Sequence, residues 1–135
     1  VGHTVSAWGL YGKSRQEEPR IPQAWECQCA GLGFEPTIRW NGALFVSAGG
    51  YHHHIGLNTW AGVGASPPPP GSAGLRYFVI HVTGPDELER VAERLRKIGA
   101  PVETKAETVL TKDPFENEIR IHHRPSVLLK KVGTN

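Results

Sequence analysis

Seven histidines stand in this chain, at positions 3, 52, 53, 54, 81, 122 and 123. Imidazole both ligates metals and carries protons near neutral pH, so their placement decides which chemistry is open. Two imidazoles on different strands with one carboxylate make the facial set of non-haem iron sites, and imidazole with oxygen donors also suits zinc, nickel or manganese. One candidate carboxylate for such a set is Glu118, which shares a run with Arg120 and His122. Histidines are more often surface or hydrogen-bonded core groups than ligands, so the elements that carry them have to bring them together.

Other chemistries find less support. Cys27 and Cys29 are too close for an ordinary disulfide and lack further soft ligands at metal-site spacing. Ser47 and Ser126 have no strand-to-helix elbow around them, and the Gly31-x-Gly33 and Gly49-Gly50 pairs read as turns rather than phosphate loops. Fifteen Lys+Arg against thirteen Asp+Glu leave a net charge of +2 with the basic residues scattered, which disfavours nucleic acid as a partner. No run reaches the roughly 18–20 apolar residues of a membrane-spanning helix. Sparse cysteine use favours a reducing compartment, with the cytoplasm as the default expectation.

Parity along the strands positions the candidate residues. Leu75–Val82 is β-branched and aromatic, and Phe78, Ile80 and Val82 alternate with Tyr77, Val79 and His81. Pro85, Asp86 and Glu87 begin a helix whose Leu88, Val91, Ala92, Leu95 and Ile98 recur at helical spacing before Gly99. Strands are expected over Val102–Lys105, Thr108–Thr111 and Glu118–His122, with Ile119 and Ile121 to the core and Glu118, Arg120 and His122 opposite. The order is β-α-β-β-β.

An earlier copy of the same tail spans Pro36–Trp40, Ala43–Ser47 and His52–Thr59, after a first strand at Gly2–Val5. In it Ile55 and Leu57 share a face with Tyr51 and His53, leaving His52, His54 and Asn58 on a polar face where Gly56 makes room. Between Arg15 and Cys29 no apolar stripe of helical period appears, and Pro19 and Pro22 interrupt any helix there. Ser66–Gly74, with its four prolines, is expected to be a polyproline II joint. The organisation expected is one domain over 1–135: a first module to about 65, the joint 66–74, a second module over about 75–123 and a tail over 124–135. The polar faces, if they converge, line a cleft with His3, His52, His54, Asn58, Tyr77, His81, Glu118, Arg120 and His122.

In AGGYHHHIGLNTWAG, GLRYFVIHV and DPFENEIRI, the chain resembles the vicinal oxygen chelate superfamily of glyoxalases, bleomycin-resistance proteins and extradiol dioxygenases. More narrowly, it is similar to the C-terminal domain of catechol 2,3-dioxygenases. The resemblance runs over Leu32–Ile121 and fades over Ser6–Gly31, as a diverged or frame-shifted stretch would. It implies an α+β fold: paired βαβββ modules, the glyoxalase/bleomycin resistance/dioxygenase fold, forming a curved mixed β-sheet cleft with the first helix degenerate. It also implies His3 and His54 as metal ligands, iron(II) first if a metal is held and manganese, nickel or zinc open.

Three positions depart from the family pattern. Tyr77 stands where a second module can carry His, and Arg120 stands at the Glu of the DPxGNxIEL pattern. Glu118 is the remaining carboxylate on that face but lies two residues along, about 6.8 Å away. Glu116 replaces the glycine of the turn, which speaks against a positive φ there.

Two functions follow as expectations. In one, His3, His54 and Glu118 serve a metal that chelates a catechol, and His81 or Tyr77 moves a proton. In the other, no metal is needed and His52, Asn58, Arg120 and His122 bind a small aromatic or anionic molecule, Arg120 supplying a fixed positive charge. A homodimer is open in both.

Overall fold

The computed structural model describes residues 5–6, 21–60 and 69–124. His3, Ser126 and most of the expected tail lie outside them. The elements are β1 (Val5–Ser6), α1 (Ile21–Trp25), a π-helical extension of α1 (Glu26–Gly31), β2 (Glu35–Trp40), β3 (Ala43–Ser47) and β4 (Ile55–Asn58). They continue with β5 (Tyr77–Val82), α2 (Pro85–Lys97), β6 (Val102–Lys105), β7 (Thr108–Lys112) and β8 (Glu118–His123).

Two four-stranded sheets result, ordered β1-β4-β3-β2 and β5-β8-β7-β6. In each, the first strand pairs parallel with the fourth and the rest are antiparallel. The helix between first and second strands is the crossover that parallel pairing requires. The fold is therefore α+β with two βαβββ units.

α2 is set by its sequence. Gly84 enters extended, Pro85 takes the first turn where its missing N–H is no loss, and Asp86 and Glu87 lie at the positive end of the helix dipole. Leu88, Val91, Ala92 and Leu95 are buried on one stripe. They join Phe78, Val109, Ile119 and Ile121 of the second sheet, and Leu44, Val46, Ile55 and Leu57 of the first, in one core. Gly31 closes the first helical segment against α2; a Cβ there would meet Ile98 Cδ1 at 2.8 Å and Leu95 Cδ2 at 2.9 Å.

Local structure departs from the sequence expectation in four places. The strand expected from His52 begins only at Ile55: the Gly49-Gly50 turn has φ of +67° and +74°, and the His52 carbonyl accepts from the Thr37 hydroxyl at 2.6 Å instead of a ladder partner. A short first helix does form, because Pro22 falls in its opening turn rather than its interior. Pro69–Ser72 is a hydrogen-bonded turn, Ser72 N donating to Pro69 O at 3.1 Å with Gly71 at φ +86°, so that part of the joint is not a polyproline rod.

The fourth departure is Glu116, which takes φ +68° despite its side chain. The turn around it is held by Asp113, whose Oδ1 accepts from the N–H groups of Phe115 and Asn117 and whose Oδ2 accepts from the Asn117 amide. Lys112 adds an ion pair to Glu116 at 2.8 Å. Left-handed backbone costs a residue with Cβ about 1–2 kcal/mol, and an exposed ion pair returns less than about 1 kcal/mol. Glu116→Gly is therefore expected to stabilise the chain by roughly 0.5–1 kcal/mol, read from urea-unfolding midpoints. Leu95→Ala, which empties the centre of the core, is expected to cost about 2–5 kcal/mol in the same measurement.

Candidate functional site

The second sheet turns one face to α2 and the other away from it. In-register pairing sets Tyr77 beside Glu118, Val79 beside Arg120 and His81 beside His122. Phe78, Ile119 and Ile121 are buried behind them, while Tyr77, Val79 and His81 are exposed and Glu118, Arg120 and His122 half-buried. The Arg120 guanidinium lies over the Tyr77 ring, 3.6 Å from its centre, and its Nε donates to Glu118 Oε1 at 2.8 Å. Cation, carboxylate and aromatic ring thus form one neutralised stack. His122 Nδ1 is 2.9 Å from the Thr108 hydroxyl, and the His81 and His122 rings are 5.9 Å apart.

In the first module the histidines occupy the loop before β4. His52 is exposed, lies tilted against Tyr51 at 4.1 Å and meets His53 edge-on at 4.5 Å, and His53 meets Phe45 edge-on at 5.1 Å. The His54 N–H donates to Val46 O at 2.8 Å, and its ring Nδ1 accepts from the Ala48 N–H at 3.2 Å. Gly56 makes room for the Phe45 ring, which a Cβ would meet at 3.1 Å, rather than for a ligand. Asn58 accepts from the Trp60 N–H at 3.2 Å.

A cleft that holds histidines draws on both modules. It has a volume of about 250 Å³ and is walled by Phe34, Ala48, His54 and Ile55 of the first module and Phe78, Val79, Ile80 and His81 of the second. His54 and His81 are brought together there. Tyr77, Glu118, Arg120 and His122 are not among its walls, although Arg120 pairs with the wall residue Val79. Phe34 and Phe78 carry no chemical signature in sequence and enter the site only through packing.

The described residues do not suit a metal. Glu118 has one oxygen engaged by Arg120, a guanidinium stands beside it, and His54 has committed Nδ1 to a backbone donor. No group of three or more His, Cys, Asp or Glu among the described residues is arranged to hold an ion.

A second depression, of about 360 Å³, lies between α1 with its extension and the β7–β8 turn, lined by Glu26, Cys27, Ile98, Lys112, Asp113 and Glu116 among others. Cys27 is a buried free thiol pushed up to about 12, by burial first and then by the Asp113 and Glu26 charges. Burial also raises Asp113 above its ordinary 3.8, against the hydrogen bonds from Asn117 and Phe115. The D-P-x-x-N spacing signals this Asx-type turn, but the burial of its carboxylate is a tertiary fact.

The chain is similar to known proteins in both sequence and fold. Catechol-2,3-dioxygenase of Bacillus subtilis (strain 168) is 46% identical over 85 residues, 62% of this chain and 30% of the relative's length. The lactoylglutathione lyase structure from Agrobacterium tumefaciens superposes with a TM-score of 0.60 at 13% identity, covering 91% of this chain and 92% of that one. An antibiotic-binding protein from Streptomyces sp. CB03234 superposes with a TM-score of 0.59 at 18% identity, over 93% and 98% of the two chains. No protein-family profile matches the chain. The class is thereby defined: the chain has the vicinal-oxygen-chelate fold of the glyoxalase and bleomycin-resistance proteins. Within that class its sequence is similar to catechol-2,3-dioxygenase, of which it spans less than a third. No helix among the described residues is long and apolar enough to cross a membrane.

Two outcomes follow from the second depression. Cys27 is expected to stay unreactive toward a thiol reagent at neutral pH until the chain unfolds, when the count of reactive thiols rises. Because Asp113 holds its proton more tightly folded than unfolded, its contribution to stability falls as pH rises from 3.8 through the raised native value. Urea midpoints of the wild type relative to Asp113→Asn should therefore decline between about pH 3 and pH 7; a rising difference would show that the hydrogen bonds outweigh burial.

Proposed function

We propose that this chain is a small-molecule-binding member of its fold class, holding a small aromatic or anionic molecule in the cleft between its modules without a metal. The observation that carries this reading is Arg120. It stands where the family pattern has a carboxylate, and it is fixed by Glu118 and Tyr77 beside Val79 of the cleft wall. A guanidinium keeps its charge at every accessible pH, and with Glu118 paired to it this face offers hydrogen-bond donors instead of a free carboxylate, which disfavours a divalent cation. Phe34, Phe78, Ile80 and Ile55 supply apolar walls for a ring.

The second reading is extradiol cleavage of an aromatic diol. It is favoured by the 46% identity to catechol-2,3-dioxygenase and by the meeting of His54 and His81 in one cleft. His3 and His54 would then hold iron(II), with Glu118 the candidate carboxylate and His81 or Tyr77 the proton carrier.

Elemental analysis and calorimetry on the wild type and Arg120→Glu separate the two. The binding reading expects weak, substoichiometric metal in the wild type, no catechol turnover after anaerobic iron(II) loading, and higher metal affinity in the variant. Arg120→Leu should weaken an anionic ligand by no more than about 1.5 kcal/mol, because Arg120 acts from the neighbouring strand and not from the cleft wall. One tightly held iron with ring cleavage by the unmutated chain would establish the second reading instead.

A further inference from the structure

The hydrogen bond behind His54 has a chemical consequence for the cleft. A backbone N–H can only donate, so the Ala48 N–H at 3.2 Å makes His54 Nδ1 an acceptor. A neutral imidazole has one N–H and one lone pair, and with the lone pair committed at Nδ1 the proton sits on Nε2. Metal-ligating histidines have the opposite arrangement: the ring nitrogen away from the metal donates to a carbonyl or carboxylate, leaving the other lone pair for the ion.

We infer that His54 serves this cleft as a hydrogen-bond donor through Nε2, gripping an oxygen of a one-ring aromatic carboxylate, and not as a metal ligand. The inference deepens the metal-free reading and rests on it for the ligand, while the tautomer stands on the Ala48 contact alone. Three further features favour this ligand class. The cleft, at about 250 Å³, is smaller than the roughly 300–1,000 Å³ of pockets for drug-sized molecules, which points to a single ring. Its remaining walls are mainly apolar, with His81 as the other imidazole. Arg120, in register with the wall residue Val79, stands on the neighbouring strand with its Nε bonded to Glu118, which leaves its other guanidinium N–H groups as donors to an anion.

The backbone arrangement that sets the tautomer is specific to this loop. Gly49 and Gly50 turn the chain at positive φ, and the His54 N–H bonds to Val46 O, which brings the ring back to the Ala48 amide. The histidine is thereby oriented before any ligand arrives, the condition under which one hydrogen bond gives selectivity.

The test has two arms on the full chain. Long-range proton–nitrogen NMR at about pH 8, where an ordinary imidazole is neutral, should show the Nε2–H form of His54, with that nitrogen unmoved by added zinc. Benzoate, titrated by calorimetry, should bind the wild type, lose about tenfold or more in affinity with His54→Leu, and lose only about threefold with His54→Gln, whose amide nitrogen restores a donor near the Nε2 position. An Nδ1–H form, or a zinc-bound Nε2, would overturn the inference. An Nε2–H form in a chain that does not bind benzoate would instead overturn the carboxylate reading and leave the tautomer assigned.

Discussion

The buried pair Ile119 and Ile121 is the constraint on which the second module depends. Both are fully buried against the stripe of α2, and a strand's side-chain period of two then forces Glu118, Arg120 and His122 to the opposite face. A slip of one residue in β8 would put a guanidinium and a carboxylate into the core at a cost of several kcal/mol. The parallel register with β5 carries the same division across, so that Tyr77, Val79 and His81 are set beside those three. The chemistry-bearing face is thus a by-product of how the hydrophobic face is buried.

The first module buries Leu44, Val46, Ile55 and Leu57 by the same alternation, but its histidines lie outside it. Its helix is short, its sheet has a bulge in β2 between Pro36 and Ile38, and its histidines sit in a loop rather than a ladder. Here single hydrogen bonds position the groups: Thr37 to the His52 carbonyl, the His54 N–H to Val46, and Ala48 to the His54 ring. Loop residues oriented by a rigid sheet are a common way to place binding groups, since each bond adjusts one side chain without disturbing the core.

Charge placement on this face is set by one ion pair and one aromatic ring. An unpaired guanidinium on a half-buried face would be costly, and Glu118 and Tyr77 relieve that cost together. The same pairing withdraws Glu118 from service as a ligand. Fold likeness at 13–18% identity reaches both a lyase and an antibiotic-binding protein, so the fold leaves the choice of chemistry to these side chains.

The sequence by itself determined the second module almost residue for residue. α2 and β6–β8 follow from helical spacing and from alternation, because each has one face that water excludes and an unambiguous period. It also placed Glu118, Arg120 and His122 opposite the core, since parity is a local property. Only the tertiary structure decided where β4 begins, because Tyr51–His54 alternates as a strand would while a positive-φ turn and the Thr37 hydroxyl take its backbone elsewhere. It alone decided that Glu116 adopts a glycine's conformation, held by a buried Asp113 and Lys112. The meeting of His54 with His81, and the direction of the His54 lone pair, likewise depend on contacts between elements far apart in the chain, which no local pattern encodes.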